Sequence, residues 1–181
     1  MKGKSFKVLI MLVSILVLLP SNSTQAEQLG GKWTTVNPSY YVSTSYSTEI
    51  QKAITSWNGI LANIGATVRY KSNTVLGANV TFAQGTYSDV YWTAYTDLYP
   101  SSYSTPYTAA NIRFKTSEMS LYTSLGKQAI ACHELGHALG LAHTIDTSTK
   151  SIMLAYIDDF WGIHGISSPQ MYDQNELNVI Y

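Results

Sequence analysis

The chain has 181 residues, with 11 basic and 11 acidic side chains, a single cysteine and 45% hydrophobic residues. Balanced charge without a basic patch excludes the electrostatic footprint of a nucleic-acid binder, and scattered Lys and Arg give no basic amphipathic helix for a membrane surface. One cysteine builds no internal disulfide, so the fold must hold by packing, with or without bound ions.

At the start, Lys2, Lys4 and Lys7 precede an apolar run over residues 8–19 broken only by Ser14, and Thr24-Gln25-Ala26 offers small residues for cleavage. This predicts a secretory signal peptide over residues 1–26, with an apolar core too short to span a bilayer. The expected mature chain, residues 27–181, loses three lysines and becomes formally −3. It is long enough for one domain with its own core. The expectation is a secreted monomer without stable membrane association after signal cleavage. Only six residues lie between Ala26 and Trp33, so no latent pro-form is expected.

Residues 33–41 read as a first strand. Over residues 48–64, Ile50, Ala53, Ile54, Trp57, Ile60, Leu61 and Ile64 keep the three- and four-residue spacing of an amphipathic helix, which Gly65 stops. Residues 67–70, 78–82, 90–95 and 111–114 read as four further short strands, and residues 99–107 as a Tyr- and Ser-rich loop. A second helix begins near Leu121, and residues 169–180 form a last one. There are no internal repeats.

Within the second helix, residues 133–143 read H-E-x-x-H-x-x-G-x-x-H, and three of the four histidines of the whole chain fall there. On a helix of 3.6 residues per turn His133 and His137 share a face, so both imidazoles can reach one ion. His143 would lie too far along the axis if the helix continued. The chain must turn, and Gly140 permits that because it can take positive φ. Three neutral imidazoles leave a zinc ion an open fourth position for water, whose acidity it raises while polarising a carbonyl. Glu134, about 100° round the helix from His133, is then a general base rather than a ligand. The alternative, three histidines satisfied by core hydrogen bonds, accounts poorly for the clustering.

The extended motif resembles that of the metzincins. Thr144 after the third histidine, Asp146, and Ser151-Ile152-Met153 resemble the matrixin branch, the family of the matrix metalloproteinases, as does the run over residues 173–181. Fainter likeness runs through residues 33–41, 78–82 and 110–114. The resemblance implies an α+β metzincin-like catalytic domain: a mixed, twisted sheet of about five strands, two long helices above a cleft, and a small C-terminal subdomain with a terminal helix. It divides the chain into an upper part, 27–143, and a lower part, 144–181. It implies an edge strand that pairs with substrate backbone, for which residues 90–95 are the candidate, and a turn under the zinc ligands containing Met153. It also implies that Asp173 anchors the last helix to that turn. Residues 151–162, with Ile152, Leu154, Tyr156, Ile157, Phe160 and Trp161, would wall the pocket for the residue after the scissile bond, with Asp158 or Asp159 able to change its preference.

Two features of the family are absent from the sequence. No pro-segment carries a zinc-capping cysteine, and Cys132, on the far side of the helix from His133, reads as a small buried hydrophobe. There is no histidine-rich loop for a structural zinc, and His164 alone cannot build one. Asp89, Asp97, Asp158 and Asp159 are candidate calcium ligands, but their spacing matches no calcium loop. The expectation is therefore a secreted zinc metalloendopeptidase with one catalytic ion at His133, His137 and His143, acting on polypeptides. Two alternatives remain: a zinc hydrolase of cell-wall peptide stems, and a catalytically idle zinc-containing binding module.

Overall fold

The computed structural model describes residues 29–35, 37–73, 77–100 and 106–181. The expected signal peptide and residues 101–105 of the Tyr-rich loop lie outside the described residues. A five-stranded sheet carries β1 (Ser39–Ser43), β2 (Lys71–Ser72), β3 (Val80–Gly85), β4 (Ala94–Tyr99) and β5 (Ala109–Lys115) in the order β2-β1-β3-β5-β4. Four strands are parallel and β4, at one edge, is antiparallel to β5. With its helices, this is the α+β architecture with a mixed sheet that the sequence led us to expect.

Strand β5 alternates, with Ala110, Ile112 and Phe114 fully buried on one face. On that face lie α1 (Ser47–Asn63) and α3 (Ser124–Ala138), which pack against each other. Helix α1 buries Ile50, Ala53, Ile54, Trp57 and Leu61, the stripe its sequence spacing predicts. The Trp57 indole N–H donates to the Cys132 carbonyl at 2.8 Å, tying α1 to the middle of α3. A short helix, α2 (Thr116–Met119), follows β5, and Thr123 caps α3 by accepting from the Gly126 N–H. After α3 come a π-helical turn (Asp158–Ile163) and α4 (Met171–Ile180). No described helix is long and apolar enough to cross a membrane.

Element boundaries differ from the sequence reading where side chains or proline intercept the backbone. The first strand begins at Ser39 rather than residue 33, because Pro38 has no N–H for a ladder, and Trp33 makes only an isolated bridge to Tyr107. Residues 67–70 are not a strand: Asn58 takes both the N–H of Tyr70, at 2.9 Å, and its carbonyl, at 3.0 Å. The third strand starts two residues late, since Asn79 binds the Ser39 N–H through its side chain. The edge strand is Ala94–Tyr99, not residues 90–95. Its approach is bent by positive φ at Tyr87 and Asp89, and the Val90 carbonyl accepts from Lys115 Nζ instead of a ladder partner. The second helix starts at Ser124 rather than near Leu121, behind its Thr123 cap.

Candidate metal centre

Helix α3 ends where its ligand face requires. The Gly140 N–H donates to the His137 carbonyl at 2.9 Å and the Leu141 N–H to the Gly136 carbonyl at 3.1 Å, the paired bonds of a Schellman motif. Gly140 has φ +100°, and a Cβ there would meet the Gly31 carbonyl oxygen at 2.5 Å. Only glycine satisfies both conditions, and the reversal brings His143 back beside the helix.

The result is convergence of three ring nitrogens. The Nε2 atoms of His133 and His137 are 3.1 Å apart, those of His137 and His143 3.1 Å, and those of His133 and His143 3.2 Å. In two of the rings the tautomer is fixed, since a carbonyl can only accept. His133 donates through Nδ1 to Ile152 at 2.9 Å and His137 through Nδ1 to Leu141 at 2.8 Å. Both Nε2 atoms therefore present lone pairs. Lone pairs held this close repel unless a cation lies among them. Ligands about 2.0–2.1 Å from a tetrahedral ion lie roughly 3.3 Å from one another, so the donor set fits zinc with one position open. Burial holds His133 well below its ordinary pKa and His137 at about 4, which keeps both neutral and ready to ligate.

Contacts from behind keep the rings in place. Phe160 stacks on His133, ring centroids 5.1 Å apart and planes within 13°. Met153 lies beneath the helix, so that a Cβ on Gly136 would come within 2.2 Å of its sulfur. The Thr144 N–H donates to the Met153 carbonyl, linking the chain just past His143 to this turn. Asp173, at the start of α4, accepts from the Ser151 hydroxyl at 2.5 Å and the Ile152 N–H at 3.1 Å. It anchors the last helix to the Met153 turn, as expected.

Glu134 is buried beside the histidines. Burial raises its carboxyl to about 7, against the lowering effect of a 2.6 Å hydrogen bond from the Thr96 hydroxyl. The histidines and Glu134 open into a cleft of about 660 Å³, bounded above by β4 and the segment before it and below by residues 155–158 and Phe160. Tyr156, Ile157 and Phe160 line it, as does Asp158. Of the other residues expected in the pocket wall, Ile152 and Leu154 lie in the core, and Trp161 packs by Gly126. His164 Nε2 lies 3.0 Å from the Thr147 carbonyl. Cys132 is fully buried, and its thiol pKa is raised by that burial. Glu176 is buried on α4, outside the histidine group. Among the described residues, His133, His137 and His143 form the one group of three or more His, Cys, Asp or Glu side chains close enough to share an ion. The aspartates considered for calcium form no such group, and Asp97 instead pairs with Arg113.

Sequence reasoning missed Thr96, the carbonyls of Ile152 and Leu141, and Phe160 as the ring behind His133. Of these, only Thr96 carried a signal. It shares inward parity on β4 with Ala94 and Leu98, and this becomes legible once the strand is placed at Ala94–Tyr99. Comparison with curated proteins finds no match. The matrixin family model matches residues 32–181, most of the chain and all of the centre described above. A donor set that fits catalytic zinc and a match of that extent together place the chain in the matrixin family of zinc metallopeptidases.

Proposed function

We propose that the chain is a secreted endopeptidase in which His133, His137 and His143 hold the catalytic zinc and Glu134 is the general base. Residues 1–26 are the export signal, and residues 27–181 are the catalytic domain, which acts on polypeptides as a monomer. The observation that carries the reading is the convergence of three Nε2 atoms within 3.2 Å, beside a buried carboxylate, in a cleft under an antiparallel edge strand. Zinc bound there supplies Lewis acidity toward water and the substrate carbonyl. Glu134 takes a proton from the attacking water and passes it to the nitrogen of the leaving amine. The open edge of β4 supplies backbone N–H and C=O groups to an extended peptide, and Tyr156, Ile157 and Phe160 supply apolar surface for its side chains.

The test is metal content and peptide cleavage measured together. Glu134→Ala should retain one zinc per chain while losing cleavage. His143→Ala should lose zinc, and Glu176→Ala should keep it. Full activity in Glu134→Ala would end the assignment of the base, and zinc lost from Glu176→Ala would end the three-histidine site.

A further inference from the structure

The Glu134 carboxylate does not stand alone in the cleft. The Thr96 hydroxyl lies 2.6 Å from Glu134 Oε2 and 3.1 Å from the backbone carbonyl of the same residue. A hydroxyl has one hydrogen, and an ionised carboxylate attracts it more strongly than a neutral carbonyl does. Thr96 therefore donates to Oε2, the nearer and more strongly attracting acceptor, with the carbonyl as a weaker second one.

The strand holds Thr96 firmly. It lies opposite Ile112 in the register of β4 and β5, on the helix-facing side with Ala94 and Leu98. On the other side of β4, Asp97 pairs with Arg113, whose guanidinium lies 5.6–6.0 Å from the ring centroids of Tyr87, Trp92 and Tyr95. These contacts fix the strand from its outer face and leave Thr96 little freedom at the inner one.

We propose that Thr96 is the positioning residue for Glu134. Its hydrogen bond occupies Oε2 and sets the plane of the carboxyl group, so Oε1 is the oxygen that takes the proton from water and returns it to the leaving amine. No atom is gained or lost by Thr96, which holds Oε2 through its hydroxyl. Because Thr96 belongs to the edge strand, the strand that lines the cleft also holds the base in place. The inference rests on Glu134 being the base.

The test compares Thr96→Val, which keeps the shape and removes the donor, with Thr96→Ser, which keeps the donor. Zinc content, thermal stability, kcat and KM are measured for each, beside Glu134→Ala. A hydrogen bond to a charged group is strong enough that Thr96→Val should lower kcat by about 10- to 100-fold. KM should stay within about twofold and zinc at one per chain, and Thr96→Ser should recover most of the rate. In a crystal structure of zinc-loaded Thr96→Val, the Glu134 carboxyl should take up more than one orientation. The proposal is overturned if Thr96→Val keeps the wild-type kcat, if Val and Ser variants lose rate equally, if the loss follows lost zinc, or if the carboxyl keeps its single orientation. An active Glu134→Ala would refute the general base itself. An inactive Glu134→Ala with an unaffected Thr96→Val would refute only the role of Thr96.

Discussion

Gly136→Ala separates helix propensity from packing at the centre of α3. Alanine is favoured over glycine in a helix interior by about 1 kcal/mol, so on propensity alone the variant is more stable. The surroundings argue the opposite. A Cβ at position 136 would lie 2.2 Å from Met153 Sδ and 3.1 Å from Trp57 Cζ2. Non-bonded heavy atoms prefer roughly 3.5–4.0 Å, so the sulfur must move by more than about 1 Å. Ser151, Ile152, Met153 and Leu154 are all buried, and Trp57 is pinned by its bond to Cys132, so neither neighbour has room to retreat. Overpacking of this kind costs about 1–3 kcal/mol. After the propensity gain, the expected net loss is up to about 2 kcal/mol, or up to about 8 °C in Tm for a domain of this size. Thermal unfolding should be followed by circular dichroism on zinc-stripped protein, so that metal binding does not mask the change. The same substitution made in a Met153→Ala background should cost nothing or stabilise, because the sulfur is gone. A higher Tm for Gly136→Ala in the wild-type background, or an equal cost in both backgrounds, would refute the packing argument.

Two further outcomes follow from the buried ionisable groups. In zinc-stripped protein, burial lowers His137 from 6.5 to about 4, so the unfolded chain binds this proton more readily than the folded one. The stability is fully present above pH 6.5 and is lost as pH falls toward 4, by about 2–3 kcal/mol for this half-buried ring; chemical unfolding at pH 7 and pH 4.5 measures it, and a zinc-free stability that did not fall on acidification would contradict the assignment. Because burial raises the Cys132 thiol, iodoacetamide at pH 8 should leave the folded protein unmodified and label it fully in denaturant, read by intact mass. Rapid labelling of the folded chain would show the thiol to be accessible.

What was legible in the sequence was local. The i, i+4 spacing of His133 and His137 and the positive φ of Gly140 depend on a single helix and its end, so the ligand arrangement can be read from eleven residues. The stripe of α1 was legible for the same reason. Strand limits were not, because they depend on which distant side chain captures a backbone group: Asn58 at Tyr70, Asn79 at Ser39, Lys115 at Val90. Thr96 is 38 residues from Glu134, one hydroxyl among many, and no spacing rule links them. Gly136 sits at an unspecified position of the motif, and its reason for being glycine lies in Met153, on another segment of chain.

Asp173 also sets an order of events. Its carboxylate accepts from the Gln170 N–H at the start of α4 and from the Ile152 N–H, and the Ile152 carbonyl in turn orients His133. A nascent chain that has emerged only as far as His143 already carries all three ligands, yet the Ile152 peptide that aims the first of them, and its anchor, are still to be made. Metal capture in the final geometry therefore waits on α4, which is made after the histidines, and a product interrupted before residue 170 lacks the anchor of the peptide that orients His133.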